Sequence, residues 1–126
     1  MKRLTKVEEE IMQLIWEFGP TTVSGLIDRM GTPKPPHSSI SSIVRILEKK
    51  EFVDHKAYGR TYEYFPTIEK STYSKFSLKR LVSHYFEGSM NELVSFLVKE
   101  DDISIHDLKE LTKKLDENDV KNNSTN

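Results

Sequence analysis

From Ser38 to Pro66 the chain reads SSISSIVRILEKKEFVDHKAYGRTYEYFP, a helical apolar period running straight into the alternation of a short β-hairpin. In the helical part Ile40, Ile43, Val44 and Leu47 recur at i, i+3, i+4 and i+7, so one stripe must be buried. At about 100° per residue the opposite stripe then holds Ser38, Ser42, Arg45 and Lys49, with Ser41 at its margin. A face of small hydroxyls and two cations, on a helix followed at once by a hairpin, is the layout of a winged helix-turn-helix and can enter a DNA groove.

The flanking sequence fits that layout. Thr5 and Glu8 form a capping-box start, and Val7, Ile11, Leu14, Ile15 and Phe18 supply a helical apolar face that Gly19-Pro20 ends. Thr21-Thr22 can add a minor strand. Val23 to Met30 then reads as a second short helix with Val23, Leu26, Ile27 and Met30 inward. Gly31 and the run Thr32-Pro33-Lys34-Pro35-Pro36 break it, so Pro36 or His37 opens the third helix. The strands are expected over Phe52 to Lys56 and Thr61 to Phe65, joined through Ala57-Tyr58-Gly59-Arg60, where Gly59 supplies the turn.

Past Pro66 the pattern changes to three helices. Ser71 to Phe86 carries Leu78, Leu81, Val82, Tyr85 and Phe86; Ser89 to Lys99 carries Met90, Leu93, Val94 and Leu97; Ser104 to Glu117 carries Ile105, Leu108, Leu111 and Leu115. Short helices with apolar stripes cannot easily cover one another in a single chain, so these residues are expected to bury against a second copy in a symmetric dimer. The expected fold is therefore mainly α with a small β-hairpin wing: a winged helix-turn-helix over residues 1–68, a three-helix dimerisation region over 69–117, and a polar, disordered tail over 118–126.

Charge sharpens this picture. Net charge is −1, yet residues 1–80 carry 14 Lys/Arg against 10 Asp/Glu, while residues 81–126 carry 5 against 10. Between 34 and 60 the cations Lys34, Arg45, Lys49, Lys50, Lys56 and Arg60 exceed Glu48, Glu51 and Asp54 by only three. So weak a basic excess grips phosphates better in two linked copies than in one. The candidate DNA contacts are His37, Ser38, Ser39, Ser41, Ser42, Arg45 and Lys49 on the helix, and Lys56, Tyr58 and Arg60 on the wing. Each has a plainer reading. His37 can be a polar turn residue, Lys49-Lys50 a favourable charge pair at a helix C-terminus, and the wing cations the routine charges of a surface hairpin. Tyr62, Tyr64, Phe65 and Trp16 read as packing.

Several function classes fall away. With no cysteine the chain has no thiolate metal site and no thiol redox chemistry, and it suits a reducing, cytoplasmic compartment. No segment approaches the roughly 18 apolar residues of a membrane span, so no membrane insertion is expected. His37, His55, His84 and His106 show no catalytic or metal-binding spacing, and Asp54-His55, as strand neighbours, are expected to face apart. Neither an enzyme nor a cofactor or metal site is expected.

The stretches VEEEIMQLIW, IVRILEKKEFVDHK, GRTYEYFP and FEGSMNELVSFLVKEDDIS together resemble the penicillinase and methicillin-resistance repressors, the BlaI/MecI/CopY family, over nearly the whole chain. The resemblance implies a cytoplasmic homodimer that represses genes by occupying palindromic operators in double-stranded DNA. In the β-lactam-responsive branch a membrane-bound sensor protease triggers cleavage of the repressor at an Asn-Phe bond. The matching positions here are Phe96 and Leu97, which marks a candidate cleavage region without carrying over the bond. The Cys-x-Cys motifs of the copper-responsive branch are missing, and Ser38, Ser39, Ser41 and Ser42 stand where relatives present Lys, Thr and Arg, so the operator sequence does not transfer. The reading reached is a homodimeric winged-helix repressor, and the alternative is a winged-helix protein-interaction module without sequence-specific DNA binding.

Overall fold

In the computed structural model, which describes residues 1–100, 104–107, 109, 110 and 113, the first helix α1 (Lys6–Phe18) opens on the expected capping box. The Thr5 amide donates to Glu8 Oε1 at 2.8 Å and the Glu8 amide donates to Thr5 Oγ1 at 3.2 Å. Its buried stripe is Glu8, Ile11, Met12 and Ile15, rotated toward Met12 from the expected one. Val7 is 49% and Phe18 45% exposed. The rotation has a cause at each end: Glu8 is drawn inward by Lys50, and Phe18 lies past the core, where the Arg29 guanidinium covers its ring at 4.1 Å.

Helix α2 (Val23–Asp28) stops two residues short of the expected Met30. The Arg29 and Met30 amides donate to Leu26 and Ile27 three residues back, and Lys34 Nζ donates to the carbonyls of Asp28 and Met30. The last turn is thus tightened and its free carbonyls are satisfied by a lysine. Helix α3 (His37–Lys49) starts behind Pro36 and buries Ile40, Val44 and Leu47, with Ile43 half-buried at the edge of the core.

Strands β1 (Val53–Tyr58) and β2 (Thr61–Pro66) pair antiparallel from Val53↔Pro66 to Tyr58↔Thr61. Pairing runs closer to the turn than expected: Ala57 and Tyr58 belong to β1, and only Gly59-Arg60 connect the strands. Gly59 takes φ +64°, the positive value that a two-residue connection demands at its first position and that glycine adopts without strain. The expected minor strand is a single bridge, in which Thr21 and Tyr64 exchange backbone hydrogen bonds of 2.9 and 2.7 Å.

The core of the first compact unit, Met1–Ser77, lies between α1, α2, α3 and the base of the hairpin, with Phe52, Met12, Ile15, Leu26, Leu47 and Val44 fully buried. Helix α4 (Lys70–Tyr85) begins in this unit: Tyr73 meets Phe52 edge-on at 5.5 Å and its hydroxyl donates to Glu9 Oε1 at 2.8 Å. Trp16 Nε1 donates to the Ile68 carbonyl at 2.8 Å, so Trp16 packs as the sequence suggests. The second unit begins at Leu78, within α4, and contains α5 (Met90–Lys99), capped by Ser89. There Val82 is buried and Phe86 packs on Phe96 at 5.6 Å between ring centroids. Residues 105–107, 109, 110 and 113 are helical, with the Asp107 amide donating to Ser104 Oγ at 3.0 Å; Leu108, Leu111, Leu115 and the tail 118–126 lie outside the described residues.

One ion pair joins the ends of two helices. Lys50 Nζ, just past α3, stands 2.6 Å from Glu8 Oε1 in the first turn of α1 and also donates to the Arg3 carbonyl at 3.2 Å. Burial pushes the Glu8 carboxyl up, but the Lys50 ammonium and the Thr5 amide outweigh it and hold its pKa below the ordinary value of 4.5. A carboxyl depressed in the folded state contributes stability that is present above pH 4.5 and is lost as pH falls through its folded value. Urea unfolding should therefore show a loss of stability on acidification that is smaller in Glu8→Gln. Lys50→Met should lower stability at pH 7 by roughly 2–3 kcal/mol, just under the range for breaking a buried pair because Lys50 is partly exposed. Equal stability of wild type and Lys50→Met would show that the pair contributes nothing.

Candidate nucleic-acid interface

Because Ile40, Val44 and Leu47 are buried, the outer stripe of α3 is left open: His37, Ser38, Ser39, Ser42, Arg45 and Lys49 are exposed and Ser41 is half-buried. Ser42 Oγ donates to the Ser38 carbonyl at 2.9 Å, which directs its hydroxyl proton to the helix and leaves the oxygen's lone pairs outward. Ile46, one turn beyond Ser42, is 45% exposed on this side, an apolar member that the four-residue polar stripe does not include.

The hairpin places its turn beside this helix. An open cleft of about 410 Å³ is lined by His37, Ser41 and Arg45 from α3, by Thr22, Val23 and Ser24 at the start of α2, and by Arg60, Thr61, Tyr62 and Tyr64 from the wing. Four candidates from sequence, His37, Ser41, Arg45 and Arg60, thus share one concavity. Ser38, Ser39, Ser42 and Lys49 continue along α3 outside it, and Lys56 and Tyr58 stand exposed on β1. Thr22, Ser24 and Thr61 are hydroxyl residues of the cleft that sequence reasoning missed. Thr22 had a signal as the cap of α2, where its Oγ1 accepts from the Gly25 amide at 3.0 Å, whereas Ser24 and Thr61 are placed only by folding.

The local electrostatics are narrower than the sequence tally. Lys50 is neutralised by Glu8, and Lys34, though exposed and still cationic, is tied to carbonyls at the end of α2 rather than to α3, so the outward charge of α3 itself comes from Arg45 and Lys49. Burial pushes the Tyr64 phenol above its ordinary pKa, with Glu48 adding to the rise and Arg45 opposing it, so a cation and a carboxylate both bear on the floor of the cleft. His55 stacks on Tyr62 at 4.4 Å, and its Nδ1 lies 2.7 Å from Glu48 Oε2. The expectation that Asp54 and His55 face apart fails, because the Asp54 carboxylate folds back to accept from the His55 amide at 2.8 Å and comes within 3.9 Å of Nδ1.

In the second unit the apolar candidates remain largely open. Leu78, Leu81, Tyr85, Met90 and Phe96 are exposed, Tyr85 to 78%, while Phe86, Leu93, Val94 and Leu97 are half-buried. Phe96 and Leu97 sit inside α5. No described helix is long and apolar enough to cross a membrane.

The penicillinase repressor family model matches residues 4–117 of the chain. Curated relatives include the methicillin resistance regulatory protein MecI of Staphylococcus aureus strain N315, 25% identical over 109 residues that span 86% of this chain and 89% of the relative. The penicillinase repressor of Bacillus licheniformis is 24% identical over 121 residues, 93% of this chain and 94% of its own. An uncharacterised 16.5 kDa protein of Latilactobacillus sakei is 23% identical over 113 residues, covering 89% and 77%.

Proposed function

Because the chain belongs to the penicillinase repressor family, a family of regulators rather than enzymes, we propose that it is a transcriptional repressor that binds a palindromic operator as a homodimer in the cytoplasm. The observation that carries the reading is the open stripe of α3, whose Arg45 shares a cleft with Arg60 of the wing. In this reading residues 1–68 form the reading head. Helix α3 enters the major groove with Ser38, Ser41, Ser42 and Arg45 toward base edges, while His37, Ser39, Lys49 and the wing residues Lys56, Tyr58 and Arg60 hold phosphates. Residues 69–117 pair two copies through the apolar side chains left open in one chain, Leu78, Leu81, Tyr85 and Met90 among them. Release from DNA would follow from loosening that pair, and a sensor protease acting near Phe96-Leu97 is one way to do it.

Fluorescence anisotropy against DNA upstream of the chain's own gene, at several salt concentrations, tests the reading. Saturable binding to one palindrome, well above binding to scrambled DNA, is expected; its absence leaves the protein-interaction alternative. Arg45→Ala should weaken operator binding by about 1–3 kcal/mol and relax discrimination at one base pair. A uniform loss over all sequences would assign Arg45 to a phosphate instead. Lys56→Ala and Arg60→Ala should each reduce the slope of log K against log salt by roughly one unit, and an unchanged slope removes that side chain from the contact set. Sedimentation should find a dimer for the native chain and a monomer for Leu81→Asp with Tyr85→Asp; a dimer that survives both charges would place the interface elsewhere.

A further inference from the structure

We propose that Glu48, Asp54 and His55 form a binding site for one divalent transition-metal ion of the zinc class, at the joint between the last turn of α3 and the first strand of the wing. His55 Nδ1 lies 2.7 Å from Glu48 Oε2 and 3.9 Å from Asp54 Oδ1, and one donor atom from each of the three residues falls within a span of 4.8 Å. Zinc-class ions bind imidazole nitrogen and carboxylate oxygen at about 2.0–2.2 Å, so two donors of one site stand at most roughly 4.4 Å apart. The 2.7 and 3.9 Å separations lie inside that limit, and the full span of 4.8 Å, which exceeds it, closes onto a single ion with a small side-chain movement.

Two further features favour a cation over a plain ion pair. The His55 ring is held in place by the stack on Tyr62, so its Nδ1 is presented in a fixed direction, as ligand imidazoles are oriented by their surroundings. A His–Glu contact would already tie α3 to β1, but here the Asp54 carboxylate, held by the His55 amide at 2.8 Å, also stands 3.9 Å from the same imidazole, so one nitrogen and two carboxylate donors converge. A doubly charged ion satisfies both carboxylates at once. One imidazole with two carboxylates suits Zn²⁺ or Co²⁺ better than Mg²⁺ or Ca²⁺, which prefer oxygen alone. The site is partly open, so water completes the coordination.

The test uses the full chain without DNA, so its result is separate from the fate of the repressor reading. Co²⁺ titration followed by visible absorption, with Zn²⁺ titration by calorimetry, should give one ion per chain, and Zn²⁺ should raise the thermal midpoint in a concentration-dependent way. His55→Gln should abolish binding and Asp54→Asn should weaken it at least tenfold; the Asp54 side chain is 63% exposed, so that variant leaves the fold intact. His84→Gln, in the second unit, should bind as the native chain does. The proposal is overturned by an absence of saturable binding, by unchanged binding in Asp54→Asn and His55→Gln, or by a loss in His84→Gln as large as in His55→Gln.

Discussion

Burial of Ile40, Val44 and Leu47 sets the rotation of α3 about its own axis, and everything the molecule presents on that side follows from it. A helix cannot bury those three side chains and also hide Ser38, Ser42, Arg45 and Lys49, which lie across the cylinder. The helix is also anchored at its C-terminal end. Phe52, fully buried, returns its amide to the Leu47 carbonyl at 2.9 Å, and Lys50 closes on Glu8. The same lysine that neutralises a buried carboxylate is thereby withdrawn from the outward charge, so stability and surface electrostatics are coupled at one residue.

A two-stranded hairpin is marginal in water when isolated, and this one is kept by attachments toward its base. Tyr64 is buried and bridged to Thr21, the Thr67 amide donates to the Phe52 carbonyl at 2.9 Å, and Val53 enters the core. Toward the turn these attachments end, and Lys56, Tyr58 and Arg60 are left exposed. The wing is therefore fixed at its base and open at its tip, which is the arrangement a hairpin needs if its turn is to meet a partner.

The second unit has the opposite character. Its sequence half is acidic, and its helices leave Leu78, Leu81, Tyr85 and Met90 uncovered although their periodicity is that of buried faces. Exposed apolar side chains at helical spacing mark a surface that gains from a partner. In the proposed repressor dimer, two weakly basic heads would likewise gain from pairing, because neutralised phosphates add across two copies.

Much of this was legible in sequence because it depends on neighbours along the chain. The capping box at Thr5 and Glu8, the inward Ile40, Val44 and Leu47, the helix start behind Pro36 and the glycine turn at Gly59 each rest on interactions within a few residues. The exchange of Val7 and Phe18 for Met12 in the core did not, since the buried face of α1 is chosen by what packs against it rather than by its own period. Local periodicity and cap chemistry determined the elements, their order and the polar stripe of α3. Only tertiary structure decided that Lys50 turns to Glu8, that Arg45 and Arg60 share a cleft with Thr22 and Ser24, and that Glu48 meets Asp54 and His55, because each joins residues on separate elements whose approach is set by packing the common core.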